Sequence, residues 1–274
     1  MKNLIIRTIT GAGFVAVVVT AASVCACSFL ALFTVIAGWS LHEFCGMAGI
    51  AGWRKRAGMA GGMYLFAATF GYAGGYVSNE VFLPYVFFLL LLLIGGLYDR
   101  TSSRPVNDWA MSFFAQFYCA GLLSSLNFIA FDRSEAAYTP VYILLVFMFV
   151  WLNDTGAYLI GSRFGRRRLF PRISPLKSWE GFAGGLAVTL TGSLLLARLL
   201  PEALPAWYHW PALATVVVTF GTWGDLVESL IKRTCGVKDS GRLLPGHGGI
   251  LDRLDSIMLA SPAVCFYLEL LIRN

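Results

Sequence analysis

Apolar residues run in blocks of roughly 20 along nearly the whole chain, with polar residues gathered in short clusters between them. A helix needs about 20 apolar residues to cross a bilayer. Blocks of that size lie near residues 57–78, 81–98, 109–131, 138–161, 179–200, 209–231 and 250–272. A further block, about 8–47, is long for one crossing and tight for two. Charge decides between them. Lys and Arg cluster at the N-terminus, at 54–56, 100–104, 163–177 and 232–253, leaving only Arg133, Arg198 and Arg273 of the 21 basic residues elsewhere. If these clusters share the cytoplasmic face, as the positive-inside tendency requires, the chain crosses twice between Arg7 and Arg54. The pattern predicts an all-α, polytopic transmembrane protein of about nine spans, N-terminus inside and C-terminus outside. It forms a single integral-membrane domain over residues 1–274.

Composition excludes a soluble domain: 57% of residues are hydrophobic and 13% charged, with mean hydropathy +0.69, whereas soluble domains carry about 25% charged residues. The opening MKNLIIRTITGAGF imitates a signal peptide, but it lacks a convincing cleavage site and reads as a first span. Six cysteines offer no C-x-x-C pair, so neither a disulfide framework nor a zinc site is signalled. The net charge of +6 is topological first, and it also favours anionic lipid and substrate on the cytoplasmic face. No nucleic-acid partner is expected. Gly71–Gly75 and Gly181–Gly185 are spaced as helix-packing pairs. GAGFVA near the start lacks the preceding strand of a dinucleotide site.

Ionisable groups within spans are costly and mark sites by default. Asp154 sits in FVWLNDTGAYLIG, and Asp225 and Glu228 sit in TFGTWGDLVESLIKR. Asp225, Glu228, Ser229 and Lys232 share one helical face. An intrahelical carboxylate–lysine ladder would explain them as well as a site would. Asp252 and Asp255 share a face of the last helix, where acids also suit a helix N-terminus. Taken together, Asp225, Asp252 and Asp255 offer hard oxygen ligands without His or Cys company, which suits Mg²⁺ held partly by substrate phosphates. Lys232, Arg233, Lys238, Arg242 and Arg253 surround them. Gly246, Gly248 and Gly249 can expose N–H groups to an anion at a helix start. His247 in PGHGG is either a phosphate donor or a turn histidine bonded to backbone. A second loop, RFGRRRLFPRISPLKSWEGF, carries Arg163, Arg166, Arg167, Arg168, Arg172 and Lys177. Its Ser174, Lys177, Ser178 and Glu180 stand at the mouth of a helix.

The run from Ser229 to Asp255, SLIKR, four residues, then KDSGRLLPGHGGILDRLD, resembles the signature of phosphatidate cytidylyltransferases, also called CDP-diacylglycerol synthases. GDLVES around Asp225, NDTGAY around Asp154 and SPLKSWEG resemble the same family. The resemblance implies transfer of cytidylate from CTP to phosphatidic acid, giving CDP-diacylglycerol and pyrophosphate. It implies Mg²⁺ on Asp225, Asp252 and Asp255, and leaves room for a second, monovalent cation. Catalytic roles fall to Lys232, Arg233, Lys238, Asp239, His247 and Arg253. Substrate contacts fall to Ser174, Lys177, Ser178, Ser229, Gly248 and Gly249. A homodimer in the bacterial plasma membrane is implied, its active site in the C-terminal third (about 150–274) and facing the cytoplasm. The N-terminal half reads as lipid-embedded scaffold. The chemistry suits the residues: a phosphate monoester already carries about −1.5 to −2 charge and needs no general base. Catalysis is then positioning and charge neutralisation. A transporter would place its charges near the midplane on broken helices. A CTP-dependent polyprenol or phytol kinase is the nearest enzymatic alternative.

Overall fold

A computed structural model of the chain describes residues 2–100, 103–132, 137–243, 246 and 248–273, with side chains from residue 8. The apolar blocks are helices: α1 (Lys2–Val24), α2 (Ala26–Met47), α3 (Gly52–Ala73), α4 (Leu83–Tyr98), α5 (Pro105–Ala115), α6 (Leu122–Ala130), α7 (Val141–Phe164), α8 (Trp179–Leu199), α9 (His209–Thr234) and α10 (Leu251–Leu271). A π-helical turn, Gln116–Gly121, joins α5 to α6, so that Pro105–Ala130 forms one long segment. Among the described residues, seven segments are long and apolar enough to cross a membrane. The apolar part of α1, Thr8–Val24, is shorter, and α3 begins with three basic residues. Neither of these two, which stand where the remaining two expected spans lie, is among the seven. The block over 8–47 divides at Cys25, whose extended backbone and side chain form a reciprocal cap with Ser28 at the start of α2.

The chain divides into two compact units, one formed by Met1–Thr139 with Asp239–Arg253, the other by Pro140–Lys238 with Leu254–Asn274. In the first, α2 and α3 pack together over an aromatic core that includes Phe29 and Phe33, with ring centroids 4.7 Å apart, and the fully buried Phe66. Two amides tie helices across this apolar interior. Gln116 Nε2 donates to the Gly58 carbonyl at 2.8 Å, and Asn127 Nδ2 donates to Thr69 Oγ1 at 2.7 Å. Arg54, counted in the sequence as a topological cation, is 6% exposed and paired with Asp99 and Asp108.

The Gly71–Gly75 pair is not a helix–helix face. Helix α3 ends at Ala73, and Gly75 adopts φ +69°, a region costly for any residue with a Cβ. Tyr76 N donates to Gly71 O at 2.9 Å and Gly75 N to Tyr72 O at 3.1 Å, a Schellman stop that satisfies the last carbonyls.

In the second unit α7 packs on α8 through glycines. A Cβ on Gly181 would lie 3.3 Å from the Gly161 Cα, and Gly185 faces Asn153. The basic loop between these helices folds into a hairpin, β1 (Arg168–Phe170) and β2 (Ser174–Ser178), paired antiparallel with Arg168 opposite Ser178. The other ribbon among the described residues is two residues per strand, Phe131–Asp132 with Ala137–Tyr138.

Candidate active site

The end of α9 carries the first group of side chains. Ser229 donates to Asp225 Oδ1 at 3.3 Å, and Lys232 Nζ donates to Glu228 Oε2 at 2.7 Å. Glu228 is fully buried, so its pair with Lys232 is the internal ladder that the spacing allows. Asp225 turns elsewhere, forming an ion pair with Lys177 of the hairpin, and both side chains remain about a quarter exposed (29% and 26%). Helix α9 then stops on Gly236, with φ +73°. Val237 N donates to Lys232 O at 2.9 Å and Gly236 N to Arg233 O at 3.1 Å, reversing the chain just ahead of the signature loop. The Arg233 guanidinium reaches the Val237 carbonyl at 3.3 Å.

Glycine also sets how closely α10 approaches α9. A Cβ on Gly224 would stand 2.6 Å from the Asp255 carbonyl oxygen, and Gly221 faces Ser256. The close crossing brings Asp255 within electrostatic reach of Asp225, Glu228 and Asp154. A cavity of about 490 Å³ opens beside them, within the range of small-molecule sites. Its polar lining includes Asp154, Lys177, Asp225, Thr222 and Arg168; its apolar lining includes Leu169, Leu176 and Phe182.

The other unit contains the second half of the signature. Asp252 Oδ2 accepts from Ser240 N at 2.9 Å and Gly249 N at 2.8 Å, and it shares the single Ser240 hydroxyl proton, 3.0 Å from Oγ, with Glu43. Glu43, on α2 and 5% exposed, accepts from Ser240 Oγ at 2.9 Å, Ile250 N at 3.0 Å and Leu251 N at 2.9 Å. The first N–H groups of α10 therefore meet carboxylates of the protein, which the helix dipole favours. For the same reason the Gly249 N–H, expected to face a phosphate, is bonded to Asp252 here.

The residues singled out from the sequence fall into both units. Ser174, Lys177, Ser178, Asp225, Ser229, Lys232, Arg233, Lys238 and Asp255 lie in one, and Asp239, Gly248, Gly249, Asp252 and Arg253 in the other. His247 lies outside the described residues. Lys177, Ser178 and Asp225 line the cavity. Ser178 also caps α8, accepting from Gly181 N at 3.1 Å, and Ser174 is the register partner of Phe170. Glu180 accepts from the backbone N–H groups of Arg166 and Arg167 and so closes the loop onto α8. Lys238, Asp239 and Arg253 are exposed. Among the described residues no three His, Cys, Asp or Glu side chains are grouped closely enough to hold a metal ion. Asp225 engages Lys177, and Asp252 serves the loop of its own unit. Glu43 escaped the sequence reading, although a lone carboxylate inside an apolar helix is by itself a signal.

The chain is 49% identical over 131 residues to a phosphatidate cytidylyltransferase of Staphylococcus saprophyticus, covering 47% of this chain and 48% of that protein. It is 49% identical over 130 residues to one of Staphylococcus aureus, with the same coverage, and 51% identical over 122 residues to one of Staphylococcus haemolyticus, covering 44% and 46%. The matched stretch thus spans about half the length of these relatives. The model of the cytidylyltransferase family matches residues 5–271, nearly the whole chain, and on that match this chain belongs to the cytidylyltransferase family.

Proposed function

We propose that this chain transfers cytidylate from CTP to phosphatidic acid. A phosphate oxygen of the lipid forms a bond to the α-phosphorus of the nucleotide, the bond from that phosphorus to the β-phosphate bridge breaks, and pyrophosphate leaves. The observation that carries the reading is the cavity of about 490 Å³ in which Lys177 and Asp225 meet, lined by both polar and apolar side chains. Such a lining suits a substrate that is part headgroup and part acyl chain, and the relatives are named for this reaction.

The residue types are those Mg²⁺ takes, although among the described residues they are not gathered into a closed ligand set. Asp225 and Asp255 are hard oxygen ligands, with Asp154 and Glu228 in electrostatic reach of Asp255. Carboxylates so gathered repel one another, and a divalent cation relieves that repulsion. We assign Asp225 and Asp255 to the ion; a ligand role for Asp252 is what the family resemblance implies. Bound there, Mg²⁺ would neutralise charge on the two phosphate-bearing substrates. Lys177 would exchange its carboxylate partner for a phosphate. Lys232, Arg233, Lys238, Arg253 and His247 would hold the remaining phosphate oxygens, and Ser174, Ser178, Ser229, Gly248 and Gly249 would orient the substrates. We place the protein in the bacterial plasma membrane with this site on the cytoplasmic side, because the basic clusters flank it and the relatives are bacterial. A homodimer is proposed on the family resemblance alone.

The test is incubation of purified protein with labelled CTP and vesicles containing phosphatidic acid. Lipid-linked cytidylate with release of pyrophosphate, abolished by a chelator and restored by Mg²⁺, is the expected result. A phosphorylated lipid alcohol would assign a kinase instead, and no product from either acceptor would overturn the reading.

A further inference from the structure

The N-terminal half supplies a group that the signature does not contain. Among the described residues, every hydrogen bond to the Glu43 carboxylate comes from residues 240–251: one from the Ser240 hydroxyl, one from the N–H of Ile250 just before α10, and one from the first N–H of α10 at Leu251. The loop is shaped to admit it. A Cβ on Gly241 would lie 2.5 Å from Glu43 Oε1, and one on Gly249 would collide with Glu43 Oε2 and Ser240 Oγ. Burying a carboxylate is costly unless its charge is hydrogen-bonded. An apolar residue would serve packing alone at this point of α2. Ser240 also donates its backbone N–H to Asp252, so the residue that Glu43 holds is the residue that orients Asp252.

We infer that Glu43 is a positioning residue for the proposed reaction: it caps α10 from another helix, holds Ser240, and through that loop fixes the Asp252 carboxylate. The inference rests on the cytidylyl-transfer reading for its kinetic arm only. A pocket of about 200 Å³ beside Glu43, walled by Lys55 and by Arg242 of the same loop, opens this arrangement to solvent.

The experiment uses the full chain in lipid nanodiscs, comparing wild type with Glu43→Gln, Glu43→Asp and Ser240→Ala. Two readouts are taken: hydrogen exchange of the amides at 249–252, and kcat separately from KM for CTP and for phosphatidic acid. Gln offers one acceptor oxygen in place of two, so these amides should exchange at least ~10-fold faster while α9 is unchanged. The kcat should fall about 10-fold with little change in KM for the lipid. Glu43→Asp, which keeps the charge, should recover most of the protection and part of kcat, and Ser240→Ala should move both readouts in the direction of Glu43→Gln. Wild-type exchange in Glu43→Gln overturns the contact, and faster exchange with unchanged kcat overturns the role in the reaction. If Glu43→Gln does not fold, Glu43→Asp and Ser240→Ala decide by the same criteria. A wild-type protein without cytidylyl transfer would overturn the functional reading, and the exchange data would still decide whether Glu43 holds the loop.

Discussion

Lys177, at the end of the β1–β2 hairpin, is ion-paired with Asp225 on α9. The basic hairpin is thereby tied to α9, the helix whose end leads into the second basic loop of the sequence. A pair this exposed contributes about 0–1 kcal/mol to stability. Lys177→Met should therefore leave the melting temperature within a few degrees of wild type while lowering kcat/KM at least ~10-fold. Asp225→Asn should keep the fold and abolish nearly all turnover. Activity and thermal unfolding measured on the same preparations check both, and an active Asp225→Asn enzyme would remove this residue from the metal site.

Asp252 has a heavier structural duty. One of its oxygens receives two backbone hydrogen bonds and a share of the Ser240 hydroxyl proton. Asp252→Asn should lose almost all turnover and, in addition, about 1–3 kcal/mol of stability, because charged hydrogen bonds in a buried loop are replaced by neutral ones. A residue acting only through the helix dipole would cost about 0.3–1 kcal/mol and little activity. Denaturation curves and Mg²⁺-dependent turnover of the one variant separate the two accounts.

The exposed cations separate in another way. Lys238→Ala and Arg253→Ala should each lower kcat/KM at least ~10-fold if they bind phosphate. Arg166 reaches Glu180 through its backbone N–H and leaves its side chain in solvent, so Arg166→Ala should change turnover little. Equal, mild effects at all three positions, at matched membrane expression, would return these residues to a purely topological role.

Gly224→Ala tests the close helix crossing. Its methyl group would meet the Asp255 carbonyl at 2.6 Å, and overpacking of this kind costs about 1–3 kcal/mol. We expect a lower melting temperature together with weakened Mg²⁺ activation, because the displaced backbone is that of a proposed ligand. Wild-type values for both would show that α10 can move away freely.

Cys235 provides a native probe of topology and of pH. Burial pushes its thiol above the usual range, so less thiolate is present at neutral pH. Maleimide labelling from the cytoplasmic side should keep rising with pH past the point where an exposed thiol levels off. Cysteines placed at Lys55 and Arg167 should label from the same side. Labelling of any of the three only from the opposite side would break the charge-based topology.

Much of this molecule is legible in the order of its residues. The helices follow from apolar blocks of the right length, and the face shared by Asp225, Glu228, Ser229 and Lys232 follows from helical spacing. What escaped depended on where a chain stops or on what it meets far away. Gly71 and Gly75 have the spacing of a packing face, but spacing does not reveal that the helix ends between them. Arg54 looks like one more cytoplasmic cation until Asp99 and Asp108 are found beside it. The hairpin holding Ser174 and Lys177 reads in the sequence only as a basic loop, because its strands are too short for a period to develop. Glu43 was hidden for a further reason: its three partners lie 197, 207 and 208 residues downstream.

That separation bears on the order in which the protein becomes itself. The carboxylate leaves the ribosome long before the loop it will hold, and must wait in its helix, buried and uncompensated or open to water, until α10 is made. The signature loop, in turn, is organised only in part by its own neighbours. A fragment beginning near residue 140 would retain the motifs that carry the sequence resemblance and would lack a carboxylate that helps to give the last of them its shape.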